Sequence, residues 1–129
     1  METGPKKILI IEDDPDTLAL LKENFKRAGY QVVAAETGED GLSLFKRQKP
    51  DLVILDVILP GMDGWEVLRR IKSGPISRRT PVIMLTGQGE DADKLKGYEI
   101  GADFYVPKPF NMAKLLVVVR SMVSEQNPR

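Results

Sequence analysis

The 129-residue chain has no cysteine and no histidine. Without cysteine there are no disulfides and no thiolate metal sites. Without either residue a metal must be held by oxygen, which points to Mg2+ or the similar Mn2+ and away from zinc. Charge of one sign is lacking too: Lys plus Arg and Asp plus Glu number 19 each, so no global field draws nucleic acid and direct nucleic-acid binding is not expected. No apolar run approaches the roughly 20 residues of a membrane span, and Met1 to Lys7 lacks the apolar stretch of a signal peptide. The chain therefore reads as cytoplasmic, with no membrane association. No glycine-rich run leads into Lys-Ser or Lys-Thr, which excludes a phosphate-binding-loop enzyme. At 42% apolar and 29% charged residues the composition is that of an ordinary globular protein. Its length fits one domain over residues 1–129, with a core from about 6 to 124 and loose ends.

What is present is a set of short apolar runs, each ending on a group capable of phosphate or metal chemistry. Ile8 to Ile11 runs into Glu12-Asp13-Asp14, and Leu52 to Leu55 runs into Asp56. Val82 to Leu85 runs into Thr86, and Phe104 to Val106 leads through Pro107 to Lys108-Pro109. Such runs are the signature of buried parallel strands, and ligands of open α/β sheets bind beyond the carboxyl ends of the strands. Parallel neighbours would bring acid, acid, hydroxyl and amine to one edge.

Helix-period segments separate these runs. Pro15 opens a helix in which Leu18, Leu21, Phe25 and Ala28 face inward and which Gly29 closes. Strands are expected at Gln31 to Ala35 and Asp51 to Leu55, with helices at Gly38 to Gln48, after Gly64, over Glu90 to Glu99, and over Met112 to Ser124. Strict alternation implies an α/β fold, a doubly wound five-stranded parallel sheet flanked by five helices with right-handed crossovers.

Two acidic stations at two strand ends suit magnesium, which takes one or two carboxylates and keeps several waters. Asp14, directly before Pro15, reads instead as a helix cap. Asp56 is the leading candidate for chemistry: a carboxylate at a sheet edge beside a metal can attack phosphorus and form an acyl phosphate. Thr86 can hydrogen-bond one phosphoryl oxygen, and Lys108 can pair with another as a compact charge. Lys108 stands between two prolines, and Lys108-Pro109 is a candidate cis peptide.

In their order, the Ile-Ile-Glu-Asp-Asp start, Asp56 to Gly64, Thr86-Gly87, Gly101-Ala-Asp103 and Lys108-Pro109-Phe110 are specific. In these motifs, over roughly Lys7 to Val123, the chain resembles a response-regulator receiver domain, the phosphoacceptor module of two-component signalling. The resemblance implies the flavodoxin-like strand order 2-1-3-4-5. It implies a phosphorylation-dependent switch in which Asp56 takes a phosphoryl group from a sensor histidine kinase or a histidine phosphotransfer protein. Magnesium would be held by Asp13, Asp56 and the backbone carbonyl of Ile58, with Glu12 acting through water. Thr86 and Lys108 would contact the phosphoryl group, and Tyr105 matches the aromatic that turns inward on switching. Such a domain is not an enzyme in the usual sense: it catalyses only its own phosphotransfer and a slow loss of phosphate.

Some residues depart from the family pattern. Gly87 stands where a slightly larger residue is usual, and with Gly97 it loosens the charged helix before the fifth strand. Phe104 and Val118 stand where receivers that dimerise through charge carry an acid and a base. This favours a more apolar partner surface of Tyr98, Phe104, Val117 and Val118, and leaves a homodimer or another protein as its occupant. Ile58 and Gln88 flank the site, and an apolar Ile58 is expected to slow hydrolysis by excluding water. Trp65 reads as core. Two alternatives compete. A magnesium-dependent aspartyl-phosphate phosphatase needs a second acid where Ile58 stands, and an unphosphorylated docking module would not need the full set of acids, threonine and lysine.

Overall fold

The computed structural model describes residues 4–87 and 99–125. In chain order it holds β1 (Lys7–Ile11), α1 (Pro15–Arg27), β2 (Gln31–Ala35), α2 (Gly38–Gln48), β3 (Leu52–Asp56) and α3 (Gly64–Ser73). A 3-10 turn (Ser77–Arg79), β4 (Val82–Thr86), β5 (Phe104–Pro107) and α4 (Met112–Glu125) follow. The five strands are all parallel, in the order β2-β1-β3-β4-β5. The expected sheet and strand order are therefore present. Four helices are described; the helix expected over Glu90 to Glu99, with Gln88, Gly97 and Tyr98, lies outside the described residues apart from Glu99. Among the described residues no helix is long and apolar enough to cross a membrane.

Strand alternation divides the core in two. Leu9, Ile11, Val53, Leu55 and Met84 face the side covered by α2 and α3, whereas Ile8, Ile10, Ile54, Ile83 and Leu85 face α1 and α4. These residues are fully buried; each such side chain contributes about 1.5–3 kcal/mol relative to exposure. Central strands covered on both faces have no polar positions, so their sequences read as unbroken apolar runs.

Helix starts are capped by side chains. Asp14 is the expected cap of α1, accepting from the Thr17 N–H at 2.9 Å and the Thr17 hydroxyl at 2.6 Å. Thr37 caps α2 and Asp63 caps α3 in the same way. Two boundaries differ from expectation. Strand β3 begins at Leu52, not Asp51, because Asp51 joins its neighbour outside the ladder: its Oδ2 accepts from the Lys7 N–H and its own N–H donates to the Lys7 carbonyl, both at 2.8 Å. Ala28 is exposed, not inward, because α1 stops at Arg27 and Gly29 takes φ +101°.

Candidate functional site

The strand ends bring the acids together. Glu12 and Asp13 directly follow β1, Asp56 ends β3, Thr86 ends β4 and Lys108 follows β5. Carboxylate oxygens of Glu12, Asp13 and Asp56 lie within 4.8 Å of one another. Glu12 is fully buried, Asp56 nearly so, and Asp13 is exposed at the mouth. One Asp56 oxygen, Oδ1, accepts from the Ile58 N–H at 3.2 Å. The other, Oδ2, accepts from the Lys108 ammonium at 3.0 Å. The same ammonium sits 3.1 Å from Glu12 Oε1, an ion-pair distance without hydrogen-bond alignment.

These contacts have electrostatic consequences. Burial pushes the Glu12 carboxyl up to about 7, with the Asp56 carboxylate adding to the rise; the Asp14 N–H on Oε2 at 3.0 Å and Lys108 oppose it. Burial alone would depress the Lys108 ammonium, but Asp56 and Glu12 outweigh that and hold it above its ordinary value. The site is a compact concentration of negative charge with one cation partly balancing it.

Thr86 is fully buried, and its hydroxyl has no hydrogen-bond partner among the described residues. Its carbonyl accepts from the Lys108 N–H at 2.7 Å, which joins the ends of β4 and β5 next to the site. The Lys108–Pro109 peptide is cis. Tyr105 is buried, with its ring centroid 6.3 Å from that of Trp65, which is itself buried at the start of α3. Ile58 projects outward, 67% exposed, two residues beyond Asp56. A groove lined by Thr17, Leu20, Lys108, Pro109 and Phe110 opens beside the ammonium.

Of the residues named for a partner surface, Phe104 and Val117 are exposed, and Tyr98 lies outside the described residues. Val118, on α4, is half-buried against the core and lines a groove with Phe104. Val117 does not line that groove, so the two valines point to different surroundings.

Sequence reasoning missed one support of the site and one tether at the far end of the sheet. Gly64 donates its N–H to the Val57 carbonyl at 2.8 Å, and a Cβ there would collide with the Asp56 carbonyl oxygen and lie 2.8 Å from Val57 Cα. The first turn of α3 thus rests on the backbone of Asp56 and Val57. The tether is Lys72, whose ammonium donates to the carbonyls of Arg78 at 3.1 Å and Thr80 at 2.7 Å and to Asp103 Oδ2 at 2.9 Å. Asp103 Oδ2 also accepts from the Val82 N–H at 2.8 Å, which ties α3 to the starts of β4 and β5. Only the Gly-Ala-Asp run hinted at it.

A family model described as the response regulator receiver domain matches residues 8–120. The chain is 39% identical over 129 residues to the probable transcriptional regulator ycf27 of Cyanophora paradoxa, covering 99% of this chain and 53% of that protein. It spans about half the length of the curated relatives it matches. A solved structure of a putative response regulator from Chloroflexus aurantiacus J-10-fl is similar at a TM-score of 0.88 and 36% identity, over 94% of this chain and 99% of that one. The receiver domain of sensor histidine kinase PA1611 from Pseudomonas aeruginosa PAO1 is similar at a TM-score of 0.85 and 27% identity, over 94% and 99% of the two chains. That structure has a magnesium ion coordinated in its active site cleft.

Proposed function

From the premise that this chain belongs to the response regulator receiver family, we propose that it is a phosphorylation-dependent signalling switch whose phosphoacceptor is Asp56. The observation that carries this is the carboxylate of Asp56, seated at the end of the middle strand between an ammonium and two further carboxylates. One domain over residues 1–129 would carry out this regulatory role in the cytoplasm, with a sensor histidine kinase or a histidine phosphotransfer protein as donor.

An oxygen of Asp56 attacks the phosphorus, and the new P–O bond forms as the P–N bond of the donor phosphohistidine breaks. The oxygen-only donor set fits magnesium: Asp13, Asp56 and the Ile58 carbonyl would hold it, and Glu12 would act through water. When bound, the ion neutralises charge on the transferring phosphoryl group. The unpartnered hydroxyl of Thr86 can donate to one phosphoryl oxygen, and Lys108 can pair with another. Thr86 and Tyr105 then pass the change to the face formed by the segment before β5, β5 itself and α4, where a protein partner reads it. Exposed Ile58 shields the acyl phosphate from water, which slows its loss.

Incubation with acetyl phosphate and magnesium tests the reading: intact mass should rise by one phosphoryl group, and a chelator should prevent it. An unchanged mass would overturn the proposal.

Lys108 already lies against two of the carboxylates that would serve the metal, at Asp56 Oδ2 and near Glu12 Oε1. Lys108→Met is therefore expected to bind magnesium about tenfold tighter at pH 8, roughly 1.4 kcal/mol, because the ion no longer displaces an ammonium. Titration followed by Trp65 fluorescence measures this. Weaker binding would show that the lysine helps to assemble the metal site.

A further inference from the structure

A second feature lies apart from the acidic edge: a groove of about 680 Å3 between α2 and α3. None of Glu12, Asp13, Asp56, Thr86 or Lys108 lines it. Its floor is apolar, with Leu42, Phe45 and Met62 only half-buried above buried Ile71. Its ends differ in charge. Glu39, in the first turn of α2, stands at one end; Lys46 and Arg47, in the last turn, stand at the other beside Arg70 of α3. Arg70 already donates its Nε to Glu66 at 2.8 Å. The side chains of Glu39, Lys46 and Arg47 make no hydrogen bond or ion pair among the described residues. Complementarity to the helix dipole explains why acid comes first and base last along α2. It does not explain why these charges flank a half-open apolar floor with no partner.

The spacing describes the occupant. Lys46 stands seven positions after Glu39, two helical turns or about 10 Å. A helix favours acids in its first turn and bases in its last. A helix lying antiparallel to α2 would set its acidic turn on Lys46 and Arg47 and its basic turn on Glu39, with apolar side chains between at helical spacing. Glu39 disfavours a polyphosphate chain or an anionic lipid surface over the whole groove. Exposed Ile76 and the following Arg78 and Arg79, in the turn whose Ser77 lines the groove, extend the same apolar and basic character.

We propose that the α2–α3 groove receives an amphipathic helix of a partner protein, antiparallel to α2, reading acid, two apolar residues and base over two turns. The site is separate from the phosphoacceptor and does not depend on its assignment.

A fluorescein-labelled, alanine-rich helical peptide with the core Glu-Ala-Ala-Leu-Leu-Ala-Ala-Lys is the probe, and its charge-reversed twin is the control. Fluorescence anisotropy should show saturable binding of the first peptide, about tenfold tighter than its twin. The triple variant Glu39→Lys, Lys46→Glu, Arg47→Glu should reverse that preference. If the triple variant loses its circular dichroism, the milder pair Lys46→Gln and Arg47→Gln must abolish the preference instead. Equal affinity for the two peptides, or no binding of either, overturns the proposal. So does binding of phosphatidylserine vesicles or a DNA duplex in preference to the peptide.

Discussion

Asp56→Asn yields no phosphoryl adduct with acetyl phosphate and magnesium, and its metal-free form is more stable than wild type at pH 8. The first outcome follows from chemistry: an amide has no anionic oxygen to attack phosphorus. The neighbours are poor substitutes, since buried Glu12 has Oε2 on the Asp14 N–H and Oε1 against Lys108, and Asp13 is out at the mouth. The second outcome follows from like charge. Glu12 is held at about 7, first by burial and in part by Asp56. A carboxyl with a raised folded value contributes stability that is complete below its unfolded value, near 4.5, and is lost as pH rises through about 7. Removing the Asp56 charge lowers the Glu12 value, so less stability is lost over that window. The gain at pH 8 should be about 1–2 kcal/mol and should shrink toward pH 5. Thermal melts in chelator at the two pH values measure it. Lower stability at pH 8 would mean that the bond from Asp56 to Lys108 outweighs the repulsion.

Gly64→Ala lowers stability by about 3 kcal/mol or more, through overpacking against backbone that cannot turn aside. The added methyl meets the Asp56 carbonyl oxygen and lies 2.9 Å from the Val57 carbonyl oxygen. For a chain of this length the melting temperature should fall by about 10 °C. Gly4→Ala is the control, since a Cβ there meets nothing within 4 Å. The two should differ in a second readout as well. Relief of the Gly64 clash displaces the peptide that carries Asp56, so adduct formation slows in the fraction still folded. A melt unchanged from wild type would show that α3 can shift without cost.

Much of the sheet was legible because burial on both faces leaves a central strand no polar residue, as in Ile8 to Ile11 and Leu52 to Leu55. Element ends were less legible. Asp51 has its side chain and main chain on Lys7, a residue 44 positions away. A helical repeat counted through Ala28 continues past the point where the chain has left the helix. The acids, threonine and lysine of the site could be named because each follows its own apolar run. The bond from Lys108 to Asp56 and the clamp of Gly64 on the peptide of Asp56 and Val57 depend on packing between elements, which no spacing encodes. The tether from Lys72 to Asp103, 31 residues apart, is of the same kind. Val118 sits at the margin of its helix face, where the helical repeat alone does not decide between core and surface.

Strand β3 is the third of five in space as well as the third in sequence. Asp56 therefore ends the strand with two neighbouring strands on either flank, and the oxygen proposed to take the phosphoryl group is no nearer one edge of the sheet than the other in strand count. Helices α1 and α4 sit behind one face and α2 and α3 behind the other. A phosphoryl group added at this one atom would therefore sit at the hub of the molecule, bordered by both helical layers.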